Sequence, residues 1–196
     1  RGKCMVVRVT NPTSSSSNGL NFGADTEFET GVAKNTKLVY DTTANKMVVL
    51  WRKENASGGY DRYYAAVATI NASNNSVSYG TSTQITTSNA VSMNAPISAV
   101  FDSDREKILI LFANAANNYG AAVLATVSGT SISFGSEDTN ISLSTAMQNG
   151  FAYRLSYDTN DKSTIYVFNI SSSHGVGAKI KTQTEATNLT SSNYIG

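Results

Sequence analysis

The chain has 196 residues, of which 40% are hydrophobic and only 15% charged, with a formal net charge of +1. That length supports a substantial core, and the near-neutral balance excludes the basic field that nucleic acid or an anionic membrane surface would call for. A single cysteine excludes an internal disulfide framework, and no apolar run approaches the ~20 residues needed to span a bilayer. In chain order, short apolar runs predict strands near 3–9, 19–23, 36–41, 46–52, 63–70, 76–80, 96–102, 107–112, 121–127, 131–135, 153–158, 163–169 and 177–182. No segment keeps a helical 3.6-residue period, and Ser144–Asn149, the nearest to one, reads as loop. Cys4 falls in the first run and reads as a buried structural thiol.

These strands repeat. Leu38-Val39-Tyr40-Asp41, Ala99-Val100-Phe101-Asp102 and Leu155-Ser156-Tyr157-Asp158 each precede an apolar run, and each aspartate stands ten residues before a closing aromatic: Trp51, Phe112 or Phe168. A second half-repeat follows. Tyr64–Ile70 leads to Val77-Ser78-Tyr79-Gly80, Ala121–Val127 to Ile132-Ser133-Phe134-Gly135, and Met5–Val9 to Leu20-Asn21-Phe22-Gly23. The period is about 55 to 60 residues and holds four strands, a to d. Each aspartate can bond backbone amides two residues on and so open the a–b hairpin. Strand b is almost wholly apolar, as in a strand covered on both faces, and the alanines of strand c allow close sheet approach. Four strands at this period predict an all-β fold of propeller-like blades, with stacked sheets or a sandwich as the alternative. The blades divide as 1–35 (partial), 36–95, 96–151 and 152–186 (partial), with 187–196 opening a following module. Such a chain is expected not to close a ring alone. Residues upstream of Arg1 and downstream of Gly196, or neighbouring chains, are expected to supply the missing packing. The closing aromatics should be buried at equivalent sites, as should Tyr40, Phe101 and Tyr157.

The pattern Tyr/Phe-Asp, apolar run, Asn118-Tyr119-Gly120, then Ala-x-Val-x-Thr-Val-Ser-Gly-Thr-Ser-Ile-Ser-Phe-Gly to Gly135 resembles a tandem repeat of marine bacteriophage virion proteins, of the cyanophage type. The copy at Tyr157–Asp158 departs from it, with Ser163 where lysine is usual. The resemblance implies a non-enzymatic tail- or capsid-associated component of the virion. Its partners would be other virion proteins or further repeats, and a host-surface glycan or protein. It defines no catalytic residue, cofactor or metal site, and implies neither nucleic-acid binding nor membrane insertion.

The residues themselves offer little chemistry. Asp102-Ser103-Asp104 and Asp158–Asp161 look like calcium loops but lack the glycine and distant glutamate of an EF-hand, and hairpin-turn chemistry explains them. The one histidine, His174, makes neither a metal site nor a triad unaided. The second function class is a carbohydrate-binding or sialidase-like glycan-cleaving propeller, although the Ser-x-Asp-x-Gly-x-Thr-Trp box is absent and the glutamates share no repeat position. The b–c loops share one end of the blades with the d–a connections. There Tyr60, Arg62, Tyr119 and His174 are the candidate ligand or receptor contacts.

Overall fold

The computed structural model describes residues 1–9, 19–55, 61–86, 97–113, 120–138, 154–171, 174–182 and 189–195, with backbone alone for residue 113 and from 168 onward. All the regular structure in them is β: β1 (Gly2–Cys4), β2 (Val7–Val9), β3 (Leu20–Phe22), β4 (Thr26–Glu29), β5 (Ala33–Asp41), β6 (Lys46–Lys53), β7 (Arg62–Asn71), β8 (Ser76–Tyr79) and β9 (Thr83–Gln84). They continue as β10 (Ile97–Asp102), β11 (Lys107–Ala113), β12 (Gly120–Ser128), β13 (Ser131–Phe134), β14 (Arg154–Asp158), β15 (Ser163–Ser171), β16 (His174–Thr182) and β17 (Leu189–Ile195). Ser144–Asn149 lies outside the described residues.

The pairing follows the repeat. β5-β6-β7-β8, β10-β11-β12-β13 and β14-β15-β16-β17 are each meandering antiparallel sheets in strand order a-b-c-d. Among the described residues the first unit holds strands c and d, as β1 with β4 and β2 with β3. The first strands of successive sheets are neighbours, β5 against β10 and β10 against β14. The sheets therefore stack in a blade-like series, and none of them closes on itself.

Three parts depart from the expected strands. The run 3–9 breaks into β1 and β2. Strand d is longer than its apolar run: after Gly23, Gly80 and Gly135 the chain returns to the start of strand c, pairing Cys4 with Thr26, Ala65 with Thr83 and Ala122 with Asp138. Residues 189–195, placed by the sequence in a following module, run along β16 as the fourth strand of the last sheet.

The turns carry the chemistry expected of them. Asp41 Oδ1 accepts the amides of Thr43 (3.0 Å) and Ala44 (2.8 Å), and Asp102 Oδ1 those of Asp104 (3.1 Å) and Arg105 (3.2 Å). Asp158 Oδ1 accepts those of Asn160 (2.9 Å) and Asp161 (3.3 Å). Each turn ends on a left-handed residue, Asn45 (φ 52°), Glu106 (φ 55°) or Lys162 (φ 52°). The β12–β13 turn is two residues long and places Gly129 (φ 60°) first, which matches the right-handed strand twist.

Sheet faces bury one another. Val48, Leu50, Tyr63 and Val67 of the second sheet join Ile108, Ile110 and Phe112 of the third in one core, which also takes in Tyr166 of the fourth. A second core joins Val49, Trp51, Ala66 and Ala68 to Cys4, Val6 and Phe28 of the first unit. Trp51 and Phe112 hold equivalent registers, opposite Tyr64 and Ala121, and both are fully buried. The Phe168 side chain lies outside the described residues. The second aromatic set is not uniform. Phe101 is buried, Tyr157 is half-buried, and Tyr40 is 46% exposed. The reason is positional: β5 covers Phe101, whereas no strand a of the first unit exists among the described residues to cover Tyr40. Cys4 is half-buried rather than buried.

Candidate functional site

Sequence reasoning pointed to the b–c end of the sheets. Tyr60 and Tyr119 lie outside the described residues. Arg62 is the first residue of β7, half-buried and opposite Lys53. His174 opens β16 and pairs with Ser171, with its side chain outside the described set. Arg62 and His174 belong to different sheets, the second and the fourth.

What does gather at this end is a polar and aromatic cluster on the second sheet. The apolar run of β6 carries Trp51, Arg52 and Lys53 out to its end, and alternation sends Trp51 and Lys53 to one face and Arg52 to the other. On the first face, the buried Trp51 indole donates to Glu29 Oε2 (3.3 Å). The Gly31 amide donates to Glu29 Oε1 (2.8 Å), and Lys53 Nζ lies 3.1 Å from the same oxygen. Burial pushes the Glu29 carboxyl up, but the Gly31 amide, the Lys53 ammonium and the Trp51 indole outweigh it and hold it below the ordinary carboxylate range. Trp51 stacks on Tyr64 (centroids 5.9 Å) and tilts against Phe28 (5.0 Å), and Lys53 sits over the Tyr64 ring at 5.6 Å. On the other face, Arg52 Nε lies 3.3 Å from Asp61 Oδ2, both side chains nearly buried, and Asp61 also accepts the Asn55 amide (3.1 Å).

Sequence reasoning missed Glu29 and Asp61. Asp61 had a signal: Arg52 and Asp61 both depart from the repeat, whose third-sheet copies have Ala113 and Asn118 there. A pair of coordinated departures marks an ion pair specific to this sheet. Glu29 had none, because it reaches Trp51 from the first unit.

Chemically the cluster is closed. Glu29 is held by the Trp51 and Gly31 N–H groups and the Lys53 ammonium, and its lowered pKa is the reverse of what a general acid needs. The other carboxyls with displaced values also move down: Asp25 through its bond and charge pairing with Lys3, and Asp104 through Lys162. Among the described residues no group of three or more His, Cys, Asp or Glu could hold a metal ion. Asp102 and Asp158 spend their carboxylates on turn amides, as hairpin chemistry requires.

No protein-family model matches the chain, and no curated protein matches it. Among solved structures the chain is similar to the exo-β-1,3-galactanase of Phanerochaete chrysosporium, solved with β-1,3-galactotriose, with a TM-score of 0.50 and 11% identity. The match covers 90% of this chain and 40% of that one. At that identity the likeness is one of fold alone.

Proposed function

We propose that the chain is a non-enzymatic structural module of a bacteriophage virion, tail- or capsid-associated, which presents the b–c end of its sheets outward to other virion proteins or to a host surface. The observation that carries this reading is how the described carboxylates are used. Asp41, Asp102 and Asp158, at equivalent repeat positions, close hairpins, and Asp25, Glu27, Glu29, Glu54, Asp61 and Asp104, outside them, pair with lysine, arginine or backbone amides. A chain that spends these charges on holding like sheets together is suited to building rather than to turnover. The repeat's resemblance to virion proteins supplies the setting.

The second reading is a glycan-binding or glycan-cleaving module, favoured by the fold likeness to a galactanase. One assay separates the structural reading from the glycan-cleaving one. The purified chain is incubated with β-1,3-galactan and a panel of other polysaccharides, and reducing ends are counted. The structural reading predicts no release above a heat-denatured control. Release that is abolished by Glu29→Gln or Asp61→Asn, with the fold intact, would overturn it.

A further inference from the structure

The second, third and fourth sheets meet at two interfaces built on the same repeat positions, with different chemistry. Where the third sheet meets the second, the turn of the second offers Asp41 and Ala44, and the third answers with Phe101 and Ile108, cross-strand partners that are both buried. Where the fourth sheet meets the third, Asp102 and Arg105 stand in the places of Asp41 and Ala44. Tyr157 and Thr164, again cross-strand partners, stand in those of Phe101 and Ile108. The exchanges of Ala44 for Arg105, Phe101 for Tyr157 and Ile108 for Thr164 each add a hydrogen-bonding group to a buried contact. Those groups find no direct partner. Thr164 is 1% exposed and its Oγ1 makes no hydrogen bond within the chain, and neither do the buried Nε of Arg105 and the buried phenol oxygen of Tyr157. The three side chains gather around one turn. Arg105 Nη1 lies 3.4 Å from Asp102 Oδ2 and 3.3 Å from the Lys162 carbonyl, Thr164 follows Lys162 by two residues, and Tyr157 reaches across toward Asp102.

A hydroxyl or a guanidinium N–H buried without a partner is costly, and a recess lined by a few such groups is where a protein holds an internal water. We propose that the interface between the third and fourth sheets contains a water site shared by Arg105 Nε, Tyr157 Oη and Thr164 Oγ1, and that this wet contact keys the fourth sheet to the third. The water accepts from the guanidinium and exchanges hydrogen bonds with the two hydroxyls, each of which can donate or accept. Both halves of the contact are needed. A turn of the second sheet's kind, with Ala44 in place of Arg105, would leave Tyr157 and Thr164 short of a partner. A face of the third sheet's kind, with Phe101 and Ile108, would leave Arg105 Nε unmet. Each half therefore disfavours the other interface's partner through a stranded polar group rather than through a clash.

The test uses the whole chain in amide hydrogen exchange read by mass spectrometry, following peptides that cover β14 in the fourth sheet and β6 in the second. Arg105→Ala gives the third sheet the second's turn. Tyr157→Phe with Thr164→Ile gives the fourth sheet the third's face. Either half alone should speed exchange in β14 about threefold or more and leave β6 unchanged. All three changes together should return β14 to the wild-type rate or below it, because replacing every partner by an apolar group strands nothing. No effect of either half, losses that simply add in the triple variant, or equal speeding in β6 would each overturn the proposal. A crystal structure of the wild-type chain reads the site itself and decides the matter if the triple variant does not fold. Solvent density within hydrogen-bonding distance of at least two of the three atoms is expected there. A dry contact, or direct hydrogen bonds among the three side chains, would overturn the proposal.

Discussion

At the residue scale, two glycines are fixed by contact between sheets. Gly23 and Gly80 stand at equivalent points after strand d. A Cβ at Gly23 would run into the Asn75 carbonyl, and one at Gly80 into the Thr130 carbonyl, each in the c–d turn of the following sheet. Their amides bond Val6 and Val67 of strand c, both at 2.9 Å. The glycine is there because the next sheet's turn leaves no room for a side chain. Gly80→Ala should therefore cost about 1–3 kcal/mol in urea unfolding, as overpacking does. Gly129→Ala, with open space around it but φ at +60°, should cost only the left-handed strain of about 1 kcal/mol. Equal costs would mean that the sheet-to-turn contact is not what selects glycine. Glu106 is strained without such a reason, so Glu106→Asn should raise stability by up to about 1 kcal/mol in the same assay.

The Glu29–Trp51 bond joins the first unit to the second sheet. Trp51→Ala removes a fully buried ring and leaves Glu29 short of a donor, so a loss of about 3–5 kcal/mol is expected. The sign of the pH effect follows from Glu29 itself. Its carboxyl in the folded state lies below the ordinary value of 4.5, so its contribution to stability is whole above pH 4.5 and drains away as pH falls below it. Urea unfolding followed by Trp51 fluorescence should show a lower midpoint in wild type below pH 4.5 than at pH 7. In Glu29→Gln the part of the pH dependence below 4.5 should flatten. An unchanged slope would remove Glu29 from the account.

At the element scale, the a–b hairpin and strand c were legible in the sequence because an apolar run and a turn aspartate recur at fixed distance. Lys46 and Lys107 even make the same cross-strand bond, to Thr69 (3.0 Å) and Thr126 (2.8 Å). β4, β9 and β17 were not legible. They are short or polar (Thr-Glu-Phe-Glu, Thr-Gln, Leu-Thr-Ser-Ser-Asn-Tyr-Ile) and are held by backbone pairing to a strand already in place, which leaves little mark on side-chain pattern. The cluster around Trp51 was half legible. The buried aromatic followed from its spacing, but its carboxylate partner comes from another sheet. The turns themselves differ in depth. Asp102 is fully buried and also faces Arg105 Nη1 at 3.4 Å, while Asp158 is partly exposed. Asp102→Ala should thus cost more than Asp158→Ala, roughly 3 kcal/mol against 1 kcal/mol, because it leaves two turn amides unpaired at a fully buried position and removes one of the carboxylates facing the partly buried Arg105. Thermal unfolding of the two variants side by side checks the order.

At the scale of the whole molecule, the stack is a series of like sheets whose contacts are mostly between neighbours. The turns of the third and fourth sheets are tied by Lys162 to Asp104 (2.6 Å) and by Arg105 to the Lys162 carbonyl (3.3 Å). Tyr157 reaches from the fourth sheet toward Asp102 of the third, and its burial and that carboxylate push its phenol up. Stability in such a series is close to a sum of unit and interface terms, so damage at one interface should not spread evenly. This suits a building module, and the setting proposed for it is a virus particle. The direct test purifies virus particles from the source whose genome encodes the chain, by density-gradient banding and a high-salt wash, and analyses them by mass spectrometry. The account predicts its peptides in the washed particles at a copy number comparable to other tail or capsid components. Peptides confined to the soluble lysate, with none in the particles, would contradict it.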